Sequence, residues 1–100
     1  MALLHFDQKS FDAALAEGKL MMVDFWANWC MPCRMLGPVI EQLAQDYEGK
    51  VDVDEQGELA MRYGVMSIPT VIFFKDGKEI HREVGALPKE VFSNVLNENL

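Results

Sequence analysis

Residues 20–36 read LMMVDFWANWCMPCRML. Three segments of different character follow one another there. Leu20 to Trp26 is a near-continuous apolar run broken only by Asp24, the pattern of a strand buried on both faces. Trp29-Cys30-Met31-Pro32-Cys33 comes directly after it, and Cys30 and Cys33 are the only two cysteines of the chain. An amphipathic pattern then starts at Leu36. Leu36, Val39, Ile40, Leu43, Ala44 and Tyr47 recur at the spacing of one helical face. Strand, thiol pair and helix in that order open a βαβ unit.

Two cysteines one helical turn apart face the same side and can close a disulfide with little backbone movement. Thiol–disulfide exchange needs an attacking thiolate and a second thiol near enough to resolve the mixed disulfide. Cys30, at the helix start, meets unpaired N–H groups and the positive end of the helix dipole, which favour its thiolate. Cys33, one turn in and more shielded, suits the resolving role. Pro32 fits the first turn, where its missing N–H is harmless. A purely structural bridge is a poor alternative, since closing so short a loop constrains the unfolded chain little. A zinc site needs four ligands, and beyond the thiols only His5, His81 and carboxylates remain. No metal is expected.

One hundred residues, half of them hydrophobic, are expected to form a single domain over 1–100 with a real core. The formal net charge of −7 argues against nucleic acid or an anionic membrane surface as partner. No basic start followed by an apolar run marks a signal peptide, and no stretch is apolar enough to span a bilayer. The expected compartment is a reducing cytoplasm, where a close dithiol is more often catalytic than structural.

Working outward, Leu3 to Phe6 reads as a short edge strand. Residues 8–17 suit a helix with Phe11, Ala14 and Leu15 on one face and Gly18 at its end. The helix after the cysteines contains Pro38, which should kink it, and Gly49 is expected to end it. Val51 to Asp54 reads as a very short strand, with Asp54 capping a helix that runs to Tyr63 and Gly64. Val71 to Phe74 is a second apolar strand. Asp76-Gly77 is a hairpin turn, and Glu79 to Val84 returns antiparallel. Pro88 opens a last helix carrying Val91, Val95 and Leu96. The order β-α-β-α-β-α-β-β-α implies an α/β fold, a mixed central sheet with helices on both faces.

Val23-Asp24-Phe25-Trp26-Ala27, Trp29-Cys30-Met31-Pro32-Cys33-Arg34, Pro38, Val51-Asp52-Val53-Asp54, Tyr63-Gly64-Val65, Ser67-Ile68-Pro69-Thr70 and Val84-Gly85-Ala86 together resemble the thioredoxin family, in order and along the whole chain. The resemblance implies a thioredoxin fold of about five strands and four helices. It also implies a protein-disulfide reductase that needs no cofactor. A thioredoxin reductase would recharge it, disulfide-containing proteins would be its targets, and it would be a monomer. The family's acid at the position of Asp24 lies behind the second cysteine and manages its proton, and the family's lysine at the position of Lys50 faces that acid. The Ile68–Pro69 bond is expected to be cis and to lie beside the dithiol, offering backbone groups to an extended substrate. Three departures stand out. Met31 occupies a place usually held by Gly, Ser67 another, and the stretch from Gly49 to Asp54 is about five residues short, roughly 17 Å of extended chain. Either the helix unwinds near Tyr47, or an element is exchanged between two molecules, or the sequence as written omits residues. The intact motifs on both sides favour the last.

Asp24 is the one charge inside a buried strand, so its proton should be held unusually tightly, and near neutrality it could accept the proton of Cys33. Trp26 is expected to serve packing. Trp29, Met31, Met66, Ser67, Ile68, Val84, Gly85 and Ala86 are expected to rim Cys30 as an apolar docking face, the alternative for Met66 being a buried core residue. Two rival functions carry different signatures. An oxidase or isomerase would show a more oxidising dithiol, and a binding subunit with an incidental dithiol would survive loss of both thiols.

Overall fold

The computed structural model describes residues 4–43 and 48–100. Nine elements follow in the expected order: β1 (Leu4–His5), α1 (Gln8–Ala16), β2 (Met21–Trp26), α2 (Met31–Leu43), β3 (Glu48–Asp52), α3 (Gly57–Arg62), β4 (Thr70–Lys75), β5 (Lys78–Val84) and α4 (Lys89–Glu98). They build one five-stranded sheet in the order β1-β3-β2-β4-β5. β3 runs parallel to β1 and β2, whereas β4 is antiparallel to β2 and β5. The two apolar runs, β2 and β4, are therefore the central pair, which is why both are buried on both faces.

Alternation along β2 sends Met21, Val23 and Phe25 to one face of the sheet and Met22, Asp24 and Trp26 to the other. The first set packs with Phe11 and Ala14 of α1 and Leu59 and Ala60 of α3. Met22 packs with Leu36 and Ile40 of α2 and Phe92 and Leu96 of α4. Asp24 thus lies under α2. In α4 the buried pair is Phe92 and Leu96, with Val91 and Val95 half-buried beside them. Asp76 and Gly77 take φ of 55° and 76°, the left-handed pair that a two-residue hairpin requires, and Lys75 pairs Lys78 across it.

Two local expectations are corrected. Gly49 does not end a helix. It lies inside β3, opposite Leu4 of β1 and Val23 of β2. A Cβ there would run into the Phe6 ring and come within 2.9 Å of the Leu4 carbonyl oxygen. The strand begins earlier than Val51 and spans five residues, so the residues present close the sheet on both edges of β3. Ala44 and Tyr47 of the helical stripe lie outside the described residues, as does Leu3. Second, Asp54 caps no helix. Gln56 precedes α3, which has no side-chain cap, and the carboxylate of Asp54 is used elsewhere. Pro38 lies within α2 and is exposed.

Gly49→Ala should therefore destabilise the protein, because the obstacle includes backbone of a neighbouring strand that cannot move alone. A loss of about 2 kcal/mol is expected, typical of overpacking, read as a lower urea midpoint at unchanged slope. Unchanged stability would show that β1 can move away.

Candidate active site

Cys30 immediately precedes α2 and acts as its N-cap. The Arg34 N–H donates to the Cys30 carbonyl at 3.1 Å, and the Cys33 N–H donates to Cys30 Sγ at 3.3 Å. Met31, Pro32 and Cys33 are then the first three helical residues. Pro32 removes an N–H that no intrahelical acceptor could use. The two cysteines form a disulfide with Cα atoms 5.2 Å apart. Cys30 is 6% exposed and Cys33 2%, so the order of shielding is as expected. They pack with Ala27, Trp26, Val53 and Ile68. In the reduced protein, the N–H at 3.3 Å and the helix start would both stabilise a thiolate at Cys30.

The loop before β4 closes over this end of α2. The Ile68 carbonyl oxygen is 3.7 Å from Cys30 Sγ, and the Ile68–Pro69 bond is cis. Thr70 Oγ1 donates to the Ser67 carbonyl at 2.6 Å, and the Gly85 N–H donates to the Pro69 carbonyl at 2.8 Å. Those two bonds tie the loop to β4 and to the end of β5. They bring Ser67, Ile68 and Pro69 together with Val84, Gly85 and Ala86, eighteen residues apart in the chain at Ser67 and Gly85. Trp29, Met31, Met66 and Val84 are 70%, 65%, 95% and 53% exposed. Met66 is thus not a core residue. Ile68 is half-buried and Pro69 buried.

Asp24 is fully buried, and both its carboxylate oxygens lack a hydrogen-bond partner among the described residues. Burial pushes its pKa from 3.8 up to about 7, opposed in part by the Lys50 charge. Lys50 is the direct partner of Asp24 across β2 and β3. Its ammonium lies 5.0 Å from the centre of the Trp26 ring and faces Gly37 of α2, where an added Cβ would meet Nζ at 3.4 Å, an ordinary contact. The Trp26 ring therefore has a second task beside packing.

One contact was not anticipated. Asp54 accepts a hydrogen bond from Trp29 Nε1 at 2.9 Å, fixing an otherwise exposed indole beside the thiols. A buried-polar argument could not find it, because both groups are at the surface. Among the described residues no group of three or more His, Cys, Asp or Glu side chains could hold a metal. No helix there is long and apolar enough to cross a membrane.

The thioredoxin family model matches residues 2–98. A thioredoxin of Staphylococcus aureus is 48% identical over 105 aligned positions, covering 100% of both chains. Since this chain has 100 residues, at least five of those 105 positions face none of them. Among solved structures, a mutant thioredoxin from Halobacterium salinarum superposes with a TM-score of 0.90 at 33% identity, over 99% of this chain and 95% of its own. A Malassezia sympodialis thioredoxin gives 0.86 at 33%, over 99% and 92%.

Proposed function

Because this chain belongs to the thioredoxin family, and is with it a small protein-disulfide reductase working through a reversible cysteine pair without a cofactor, we propose the following assignment of roles. Cys30 is the attacking thiol, and its thiolate bonds to one sulfur of the target disulfide. The target S–S bond breaks, its other sulfur leaves and takes up a proton, and a mixed disulfide remains on Cys30. Asp24 accepts the proton of Cys33. Cys33 then attacks Cys30 Sγ, the mixed disulfide breaks, and the second target sulfur leaves as a thiolate. Two electrons have passed to the target, and Cys30–Cys33 is the product disulfide. The observation that carries this order is the Cys33 N–H donating to Cys30 Sγ at the helix start, because it favours negative charge on Cys30 and not on Cys33.

Trp29, Met31, Pro32, Met66, Ser67, Ile68, Val84, Gly85 and Ala86 form the docking face, and Pro69 holds the loop that presents Ile68. Exposed apolar side chains around a sulfur that touches the Ile68 carbonyl support this reading. Lys50, Trp26 and Pro38 act behind the thiols: Lys50 moderates Asp24, Trp26 fixes Lys50, and Pro38 shapes the helix. The chain works as one domain over 1–100, as a monomer in the cytoplasm, on disulfide-containing proteins. Electrons come from a thioredoxin reductase, the usual donor of the family.

Equilibration with thiol buffers of known poise tests reductase against oxidase. A reductase should show a potential near about −270 mV, and a value above about −200 mV would place the dithiol with isomerases and oxidases. Met31 makes this measurement informative, since it stands between the cysteines where the family usually has Gly.

A further inference from the structure

The chain has seven methionines, and the fold divides the described ones sharply. Met21 and Met22 are 1% and 0% exposed, whereas Met31, Met35, Met61 and Met66 are 65%, 70%, 82% and 95% exposed. Two of the exposed four border the reactive sulfur. Met31 directly follows Cys30. Met66 stands two residues before Ile68, whose carbonyl oxygen is 3.7 Å from Cys30 Sγ. We propose that Met31 and Met66 are a reversible peroxide-modification site, whose oxidation to sulfoxide weakens docking of protein disulfides and leaves the dithiol chemistry intact. The proposal rests on reading this face as the target-docking surface.

The chemistry is a two-electron oxygen transfer. The thioether sulfur attacks the distal oxygen of hydrogen peroxide, the O–O bond breaks, an S–O bond forms, and the peroxide is reduced to water. The sulfur is oxidised from thioether to sulfoxide. In the disulfide form Cys30 and Cys33 present no thiolate, so they are poor competitors for the oxidant. Met21 and Met22 are shielded by the core. A sulfoxide replaces an adaptable apolar contact with a polar, chiral group that a docking partner must desolvate. The disulfide itself gains no such group, so small disulfides that need little docking area are unaffected. Methionine sulfoxide reductases reverse the modification.

The test uses the disulfide form of the whole protein, treated with hydrogen peroxide and then freed of it. Peptide mass mapping should find one added oxygen at Met31 and one at Met66, and none at Met21 or Met22. With insulin as protein-disulfide probe, KM should rise about tenfold, equivalent to about 1.4 kcal/mol of docking. The rate with a small aromatic disulfide should stay within about twofold, well under that tenfold step. Methionine sulfoxide reductases should restore KM. A Met31→Leu/Met66→Leu double variant, compared with its own untreated sample, should no longer respond to peroxide. An unchanged KM on protein carrying both sulfoxides, or a double variant as sensitive as the parent, would overturn the proposal. Failure of the untreated protein to reduce insulin at all would instead overturn the underlying role assignment.

Discussion

Cys30→Ser abolishes reduction of protein disulfides and leaves no trapped intermediate, whereas Cys33→Ser is equally slow in turnover but accumulates mixed disulfides with its targets. Each loss should be on the order of a thousandfold or more, the scale on which removing a nucleophile registers. The asymmetry follows from the N-cap geometry. Cys30 Sγ receives the Cys33 N–H at 3.3 Å and sits at the positive end of α2, so the thiolate is stabilised there. Cys33, inside the first turn and 2% exposed, is placed to attack Cys30 Sγ itself once that sulfur is joined to a target. In the reduced protein limiting iodoacetamide should accordingly alkylate Cys30 first. Preferential alkylation of Cys33, or mixed disulfides trapped on the Cys30→Ser protein, would reverse the assignment.

Asp24→Asn should stabilise the protein and slow it. Folding holds the Asp24 proton more tightly than the unfolded chain does, with the pKa moving from 3.8 to about 7 by burial. The ionised form is therefore penalised. The penalty is absent below the unfolded pKa, grows as pH rises through the interval, and is constant above about 7. Each tenfold change in proton affinity is worth about 1.4 kcal/mol, so the full penalty is on the order of 4 kcal/mol. A buried amide without partners keeps some of that cost, and the net gain for Asn should be about 2–4 kcal/mol at pH 8, shrinking toward pH 5. Urea unfolding of both proteins at the two pH values measures it, and a gain that does not change with pH would mean the carboxylate is not the source. Turnover should fall by about tenfold or more near neutral pH, because the proton acceptor for Cys33 is gone. Equal rates between about pH 6 and 8 would remove Asp24 from the reaction.

The order of elements was legible because the apolar patterns are strong. β2 and β4 are unbroken runs apart from Asp24, α2 shows its stripe, and Asp76-Gly77 admits little but a tight hairpin. The dithiol was legible because two cysteines at helical spacing have few other uses. Element ends were less so. Gly49 after a helical stripe reads as a helix stop, since glycine commonly ends helices. Its actual reason is the Phe6 ring and the Leu4 carbonyl of another strand, contacts invisible to a local rule. Asp54 reads as a cap by its residue type, yet its partner is an indole 25 positions away.

Local pattern and residue chemistry set the elements, their order, the thiol pair and the one acid within the central strand. What those groups face depends on the closed sheet. Sheet register sets Lys50 beside Asp24, and its ammonium lies over the Trp26 ring. The Gly85–Pro69 and Thr70–Ser67 hydrogen bonds bring the Ile68 carbonyl to Cys30. The physical reason is that burial and close contact depend on pairs distant in the chain. Their chemistry, from the raised affinity of Asp24 for its proton to the exposed apolar side chains near one sulfur, exists only once the sheet has closed.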